Sequence, residues 1–271
     1  MINSLLEAFG SLTKALELFF VLEDIKQVAR IVVKDKQILK QFCKENNLEI
    51  IFSDFNVKTV SLGGYSNQGI INKEQGDKIA YISKNKLLAN KAKTAEKEMD
   101  HKELGLLLGY PECCCEFFAK HFPKKSKTTN DYTLETLKNS EGFEFPFQTN
   151  IAARTFDLGL ISHFPCSFNC EKSIELANKN LKAIKNNDPN LAQDLPNLLK
   201  TFVIYSEKNG VIIVPEFTRK DDYIYHNMVF SNIESEIAQE VKKAELIKIQ
   251  DKNKVIINNK EFDDLGVMLF Q

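Results

Sequence analysis

Apolar residues recur at spacings of three and four over the first thirty positions, at Leu5, Leu6, Phe9, Leu12, Leu16, Phe19 and Phe20. That single stripe predicts an amphipathic helical segment over 1–30 that packs on a core. The acidic residues Glu17, Glu23 and Asp24 argue against an anionic membrane surface. The period then shortens. Residues 30–33, 48–52, 57–60 and 78–82 read as strands, and 36–46 reads as a helix with Ile38, Leu39 and Phe42 inward. Cys43 in that helix reads as a small buried side chain. The glycine-containing stretch 62–69 lacks the Lys-Ser/Thr end of a phosphate loop, so it reads as a surface loop.

A lysine-rich helix follows over 87–98, with a solvated face. Asp100 can cap a helix over 101–108, with Glu103 at the capping-box position. Gly109 suits the left-handed stop. Residues 123–146 form a polar break, the candidate for a mobile loop or lid, with a helical turn near 134–137. Thr149 then opens a helix to about 158 that carries Asn150 and Arg154 on one side. Pro165 opens another to about 185. Asp188 and Pro189 start a third, which Pro196 interrupts or restarts. From 201 the pattern turns to strands: a hairpin of 202–205 and 211–214 around Asn209-Gly210, and a strand region at 223–225 and 229–230. A helix over 233–246 and a terminal hairpin over 255–262 complete the chain. The expectation is an α+β or mixed α/β fold in which a central helical segment carries a cysteine-rich site between strand-containing flanks. The parts divide as 1–100, 101–200 and 201–271, or form a single compact domain.

The 271 residues are enough for a substantial core. Lys+Arg of 36 against Asp+Glu of 37 excludes a global basic field for nucleic acid or membrane. The apolar run 18–22 is far too short to span a bilayer. The N-terminal stretch lacks the features of a signal peptide. A cytoplasmic protein is expected, in which clustered thiols stay reduced and serve metal binding or reactivity rather than disulfides.

Five of the six cysteines fall in two short stretches. The first is Gly109-Tyr110-Pro111-Glu112-Cys113-Cys114-Cys115, and the second is His163-Phe164-Pro165-Cys166-Ser167-Phe168-Asn169-Cys170. Proline suits the first helical position, so Cys113, Cys114 and Cys166 are expected in first turns. There the helix dipole and free N–H groups favour thiolate. Cys166 and Cys170, four apart, would share a helix face, with His163 at the turn and Ser173 one turn on. Adjacent helical residues lie about 100° apart, so at most two of Cys113, Cys114 and Cys115 converge, and Cys115 is the expected bystander. Soft sulfur ligands suit zinc or an iron–sulfur cluster. Neither paired Cys-x-x-Cys knuckles nor a ferredoxin run is present. The candidate metal ligands are Cys113, Cys114, Cys166 and Cys170. His163 and Arg154 are the candidates for catalytic roles, and His101, His121 and His226 read as bland positions.

These stretches resemble a prokaryotic, largely archaeal, family catalogued as domain of unknown function 483. Its members carry Gly-Tyr/Phe-Pro-x-Cys-Cys and a later His-x-Pro-Cys-Ser-x-x-Cys-x-x-Ser, matched here from Gly109 to Cys114 and from His163 to Ser173. The resemblance covers about residues 101–185 and implies a shared site without naming a reaction. Three functional readings follow. The first is a metal-dependent enzyme, with zinc or an iron–sulfur cluster on the four cysteines. The second is a non-catalytic module stapled by zinc, and the third a metal-free thiol oxidoreductase. A small-molecule, nucleotide or tRNA substrate is compatible with the first, but no sequence feature selects one.

Overall fold

In the computed structural model of the chain, residues 1–59, 69–72, 75–127 and 130–271 are described. The fold is α+β, as the alternation of helical and strand periods predicts. The stretch read as a glycine-containing loop lies, apart from Gly69, outside the described residues.

The first amphipathic segment is two helices, α1 (Ile2–Phe9) and α2 (Leu12–Leu22). Gly10, at φ +62°, ends the first, and the Ser11 side chain accepts from Lys14 N to cap the second. There follow β1 (Ala29–Val33), α3 (Lys36–Glu45), β2 (Glu49–Phe52), β3 (Asn56–Thr59), β4 (Gly69–Asn72) and β5 (Lys78–Ser83). Strands β1, β5 and β2 form one antiparallel sheet with β5 central. Alternation places Ile31, Val33, Ala80 and Ile82 on the face shared with α2. Val32, Ile79 and Tyr81 face α4 (Lys86–Lys97) and α5 (His101–Leu107). The small residues Ala89, Ala92 and Ala95 let α4 sit close to the sheet while Lys86, Lys91 and Lys97 stay in water.

Helix α6 (Glu112–Lys125) packs on α5 at close range. A Cβ on Gly105 of α5 would meet Sγ of Cys115 at 2.6 Å, so this approach needs glycine. Apart from residues 128–129, which lie outside the described residues, the region expected as a mobile lid is instead built into the protein. Helix α6 runs on through Pro123, then come α7 (Thr133–Lys138) and β6 (Glu144–Phe145). Tyr132, Leu137 and Phe145 are buried. Polar composition misled here because these polar groups bond to backbone rather than to water.

The helix expected from Thr149 is two 3₁₀ turns, 147–149 and 152–156. The next helix, α8 (Glu171–Asn187), begins six residues beyond Pro165. In α9 (Pro189–Leu199), Pro196 sits inside the helix without breaking it, because the burial of Leu195 and Leu199 outweighs one lost hydrogen bond.

The C-terminal part is a sandwich. Strands β7 (Phe202–Ser206), β8 (Gly210–Val214), β9 (Phe217–Lys220), β10 (Tyr223–His226) and β11 (Phe230–Ser231) precede α10 (Glu236–Lys243). That helix stops short of Leu246, which starts β12 (Leu246–Asp251). The chain ends with β13 (Lys254–Ile257), β14 (Lys260–Phe262) and β15 (Gly266–Phe270). One sheet has the order β11-β8-β7-β15-β6 and is buried on both faces. Its side chains alternate between two cores: Val203, Tyr205, Met268 and Phe270 face the core of α1 and α2, and Phe202, Ile204, Val267 and Leu269 face the second sheet. That second sheet, β14-β13-β12-β10-β9, buries Ile224, Ile247, Ile249 and Val255 with α10 and turns its other face to solvent. The first core draws on residues from Ile2 to Phe270. Among the described residues no helix is long and apolar enough to cross a membrane.

Candidate metal centre

Pro111 is the residue before α6 rather than its first, and its carbonyl accepts from the N–H groups of Cys114 and Cys115. Cys113 and Cys114 therefore do sit in a helical first turn. The second motif corrects the expectation. Residues 161–170 are irregular, Cys166 lies in this loop, and Cys170 is the N-cap of α8, its carbonyl accepting from Ser173 N and Ile174 N. Cys166 and Cys170 thus do not share a helix face. Their loop is held from outside by polar residues of the stretch expected as a lid and by Thr149. Thr136 Oγ1 donates to the Pro165 carbonyl at 2.8 Å, and Asn139 Nδ2 to that of Cys166 at 3.2 Å. Ser140 Oγ accepts from Phe168 N at 2.8 Å, and Thr149 Oγ1 donates to the Phe168 carbonyl at 2.8 Å. Each loop group so paired avoids the cost of a buried unsatisfied backbone atom.

The two motifs meet. Sγ of Cys113 lies 3.9 Å from that of Cys114 and 3.8 Å from that of Cys170, and Cys114 lies 3.7 Å from Cys170. With Cys166 included, all four sulfurs fall within 4.8 Å of one another and could hold a metal ion. A tetrahedral ion with metal–sulfur bonds of about 2.3 Å holds its ligands about 3.8 Å apart, which is the spacing of the three close pairs. Cys166 N–H points at Cys114 Sγ at 3.3 Å. Cys115 points away, toward the Tyr110 carbonyl at 3.7 Å. Cys113, Cys166 and Cys170 are half-buried and Cys114 is buried.

The thiols cannot all ionise by themselves. Hydrogen bonds from Cys114 and Cys166 hold the Cys170 thiol well below its ordinary value. Cys114 is driven far up by its contacts with Cys166 and Cys170 and by burial. For Cys166 the Cys114 contact lowers the value, but Cys170 and burial outweigh it and push it up to about 12. One thiolate is comfortable here, and four require a cation among them.

A buried polar layer backs the sulfurs. Ser173 Oγ lies 3.3 Å from Cys114 Sγ and 2.9 Å from His163 Nε2. His163 is buried, and burial, reinforced by the charges of Lys26 and Arg154, pushes its pKa down to about 3, so the ring is neutral. Among the described residues its Nδ1 has no hydrogen-bond partner. The ring lies against Tyr110, 5.0 Å between centroids, and Lys26 stands over the same tyrosine at 5.0 Å. Lys26 is itself buried in an ion pair with Glu17 at 2.6 Å, and Ser162 donates to that carboxylate.

Residues 84–195 match the family model described as "Protein of unknown function (DUF483)". The match takes in both cysteine motifs and roughly two fifths of the chain, and contains the span over which the motifs carried the resemblance. The matched segment runs from the residues just before α4 into α9. No curated protein and no solved structure matches the chain.

Within the matched segment, Arg154 places its guanidinium over the Phe164 ring at 5.4 Å and, among the described residues, makes no ion pair. Asn150 is structural: its Nδ2 donates to the Leu199 carbonyl and to Thr201. His101 packs against Phe118 and Phe122, and His121 lies 3.9 Å from Glu135. His226 is a strand residue outside the segment. The Glu17–Lys26 pair was missed by sequence reasoning, since an acid inside an apolar helix and a lysine nine residues on carry no spacing signal.

Proposed function

We propose that this chain is a binding module in which Cys113, Cys114, Cys166 and Cys170 hold one zinc ion that staples the start of α6 to the start of α8. The carrying observation is the spacing of the four sulfurs, all within 4.8 Å. An iron–sulfur cluster spreads its thiolates over separate irons, and so needs them further apart than the ligands of a single ion. Four thiolates fill the four positions of tetrahedral zinc, the arrangement of closed structural sites, whereas catalytic sites keep one position open. The surroundings support the same reading. The cavity lined by Lys26, Tyr110, Ser162 and Asn180 has room for about one water and none for a substrate. Ser173 and the Cys166 N–H direct hydrogen bonds at the sulfur of Cys114, as the outer partners of a zinc thiolate do. His163 and Arg154 then act in support of the site, the histidine by holding Ser173. A cytoplasmic, reducing setting keeps such thiolates available.

The test is metal analysis of the purified chain beside its Cys166→Ser variant. One equivalent of zinc in the wild type and loss of stoichiometric zinc in the variant support the staple. Equal metal content in both would remove Cys166 from the site and overturn it.

A further inference from the structure

The sheet β14-β13-β12-β10-β9 turns one whole face to solvent, and that face is not the usual polar one. Tyr223 and Tyr225 are two apart on β10, so their rings rise on the same side, about 7 Å apart. Tyr225 is 41% exposed and pairs across the ladder with Leu246, itself 39% exposed. Tyr223 pairs with Lys248, which pairs in turn with Ile256. Tyr223, Leu246, Lys248 and Ile256 line an open depression of about 630 Å³ whose rim carries Lys243 and Asn259, and Tyr225 stands on the same face outside that lining. Asn259 stands at the tip of the β13–β14 turn in a left-handed conformation, with its side chain exposed.

The charges are poised for an anion. Lys254 and Lys260 are neutralised by Glu261 and Glu236. Lys243 and Lys248 make no ion pair among the described residues, and Lys248 holds its ammonium 5.7 Å from the Tyr223 ring centre. Glu245 is the one acid in the lining. Two tyrosines in series on one sheet face, Tyr225 exposed and Tyr223 half-buried beside Lys248, flanked by an amide and by lysines that make no ion pair among the described residues, match a chain of bases joined by phosphates. The bases stack on the rings, the lysines meet the phosphates and the amide reaches a base edge. A duplex hides its base faces and does not fit.

We infer that the open face around Tyr223 and Tyr225 binds single-stranded RNA. The inference names a partner for the binding module proposed above, but the face lies on the far side of the sandwich from the thiols and stands whether or not they hold metal.

The test is fluorescence anisotropy of a labelled mixed-sequence RNA of about 12 nucleotides with the full-length chain, at about 50 and 200 mM salt. Binding that weakens with salt is expected. Tyr223→Ala and Lys248→Ala should each weaken it about tenfold, and Tyr223→Phe, which keeps the stacking face, should leave it intact. Lys248 is a surface side chain, so its variant reads the site even if Tyr223→Ala perturbs folding. Absence of RNA binding, or equal binding by wild type and Lys248→Ala, would overturn the inference. So would a dimer, seen by sedimentation, that Tyr225→Ser dissolves, since it would assign the face to a second copy of the chain. Loss of zinc in Cys166→Ser bears on the staple alone.

Discussion

Ser173 stands 2.9 Å from the imidazole of His163 and so joins a buried, neutral ring to the sulfur cluster. Its hydroxyl can accept from Nε2 of that ring and donate to Cys114, 3.3 Å away. Hydrogen bonds of this kind fix a thiolate ligand and moderate its charge, and their loss commonly costs about 10- to 100-fold in metal affinity. Ser173→Ala should therefore weaken zinc binding by that order in a chelator competition while leaving one metal per chain at saturation. Unchanged affinity would mean that the hydroxyl serves packing alone.

Of the three adjacent thiols on α6, Cys115 is the one the site does not use, and its sulfur occupies the space a side chain on Gly105 would need. Gly105→Ala should destabilise the fold by about 1–3 kcal/mol through overpacking of α5 against α6. Cys115→Ala should leave metal content unchanged. Combined, the two should recover much of the lost stability, which a double-mutant cycle in urea measures. Additive losses would show that the α5–α6 contact is looser than the structure has it.

Glu96 on α4 carries a pH dependence. Its carboxylate accepts from Arg30 Nε at 2.7 Å and from the Tyr81 hydroxyl at 2.6 Å. Burial alone would raise its pKa, but Arg30 and Tyr81 outweigh burial and hold it below the ordinary value. The unfolded chain thus takes up the proton first on acidification. The stabilisation is complete above the unfolded carboxylate value, about 4.3, and is lost as pH falls through the lower folded value. Glu96→Gln should cost about 3 kcal/mol at neutral pH, and the gap to wild type should close on acidification. Denaturant melts at neutral and acid pH measure this, and a gap constant with pH would contradict it.

The two cysteine motifs were legible because thiols and prolines are rare enough to stand out. So was the choice of Cys113 and Cys114 over Cys115, since helical geometry permits only two of them to converge. The loop around Cys166 was not legible. Pro165 looks like a helix start, but the backbone there is held by Thr136, Asn139, Ser140 and Thr149, which no local pattern links to it. The same long-range bonding hid Asp157, whose carboxylate accepts from Leu12 N and Thr13 N at the start of α2, some 145 residues away in sequence. Strand β15 escaped notice because a strand buried on both faces shows no alternation. The β7–β8 hairpin, buried on both faces of the same sheet, was legible only through the Asn209-Gly210 turn between its strands.

The staple needs one ion held by four sulfurs, and X-ray absorption on the purified chain tests that most directly. The expected result is zinc at one equivalent, four sulfur neighbours at about 2.3 Å and no second metal nearby. Iron with a neighbouring iron, or zinc with fewer than four sulfurs and a lighter atom in the remaining position, would contradict the closed single-ion staple.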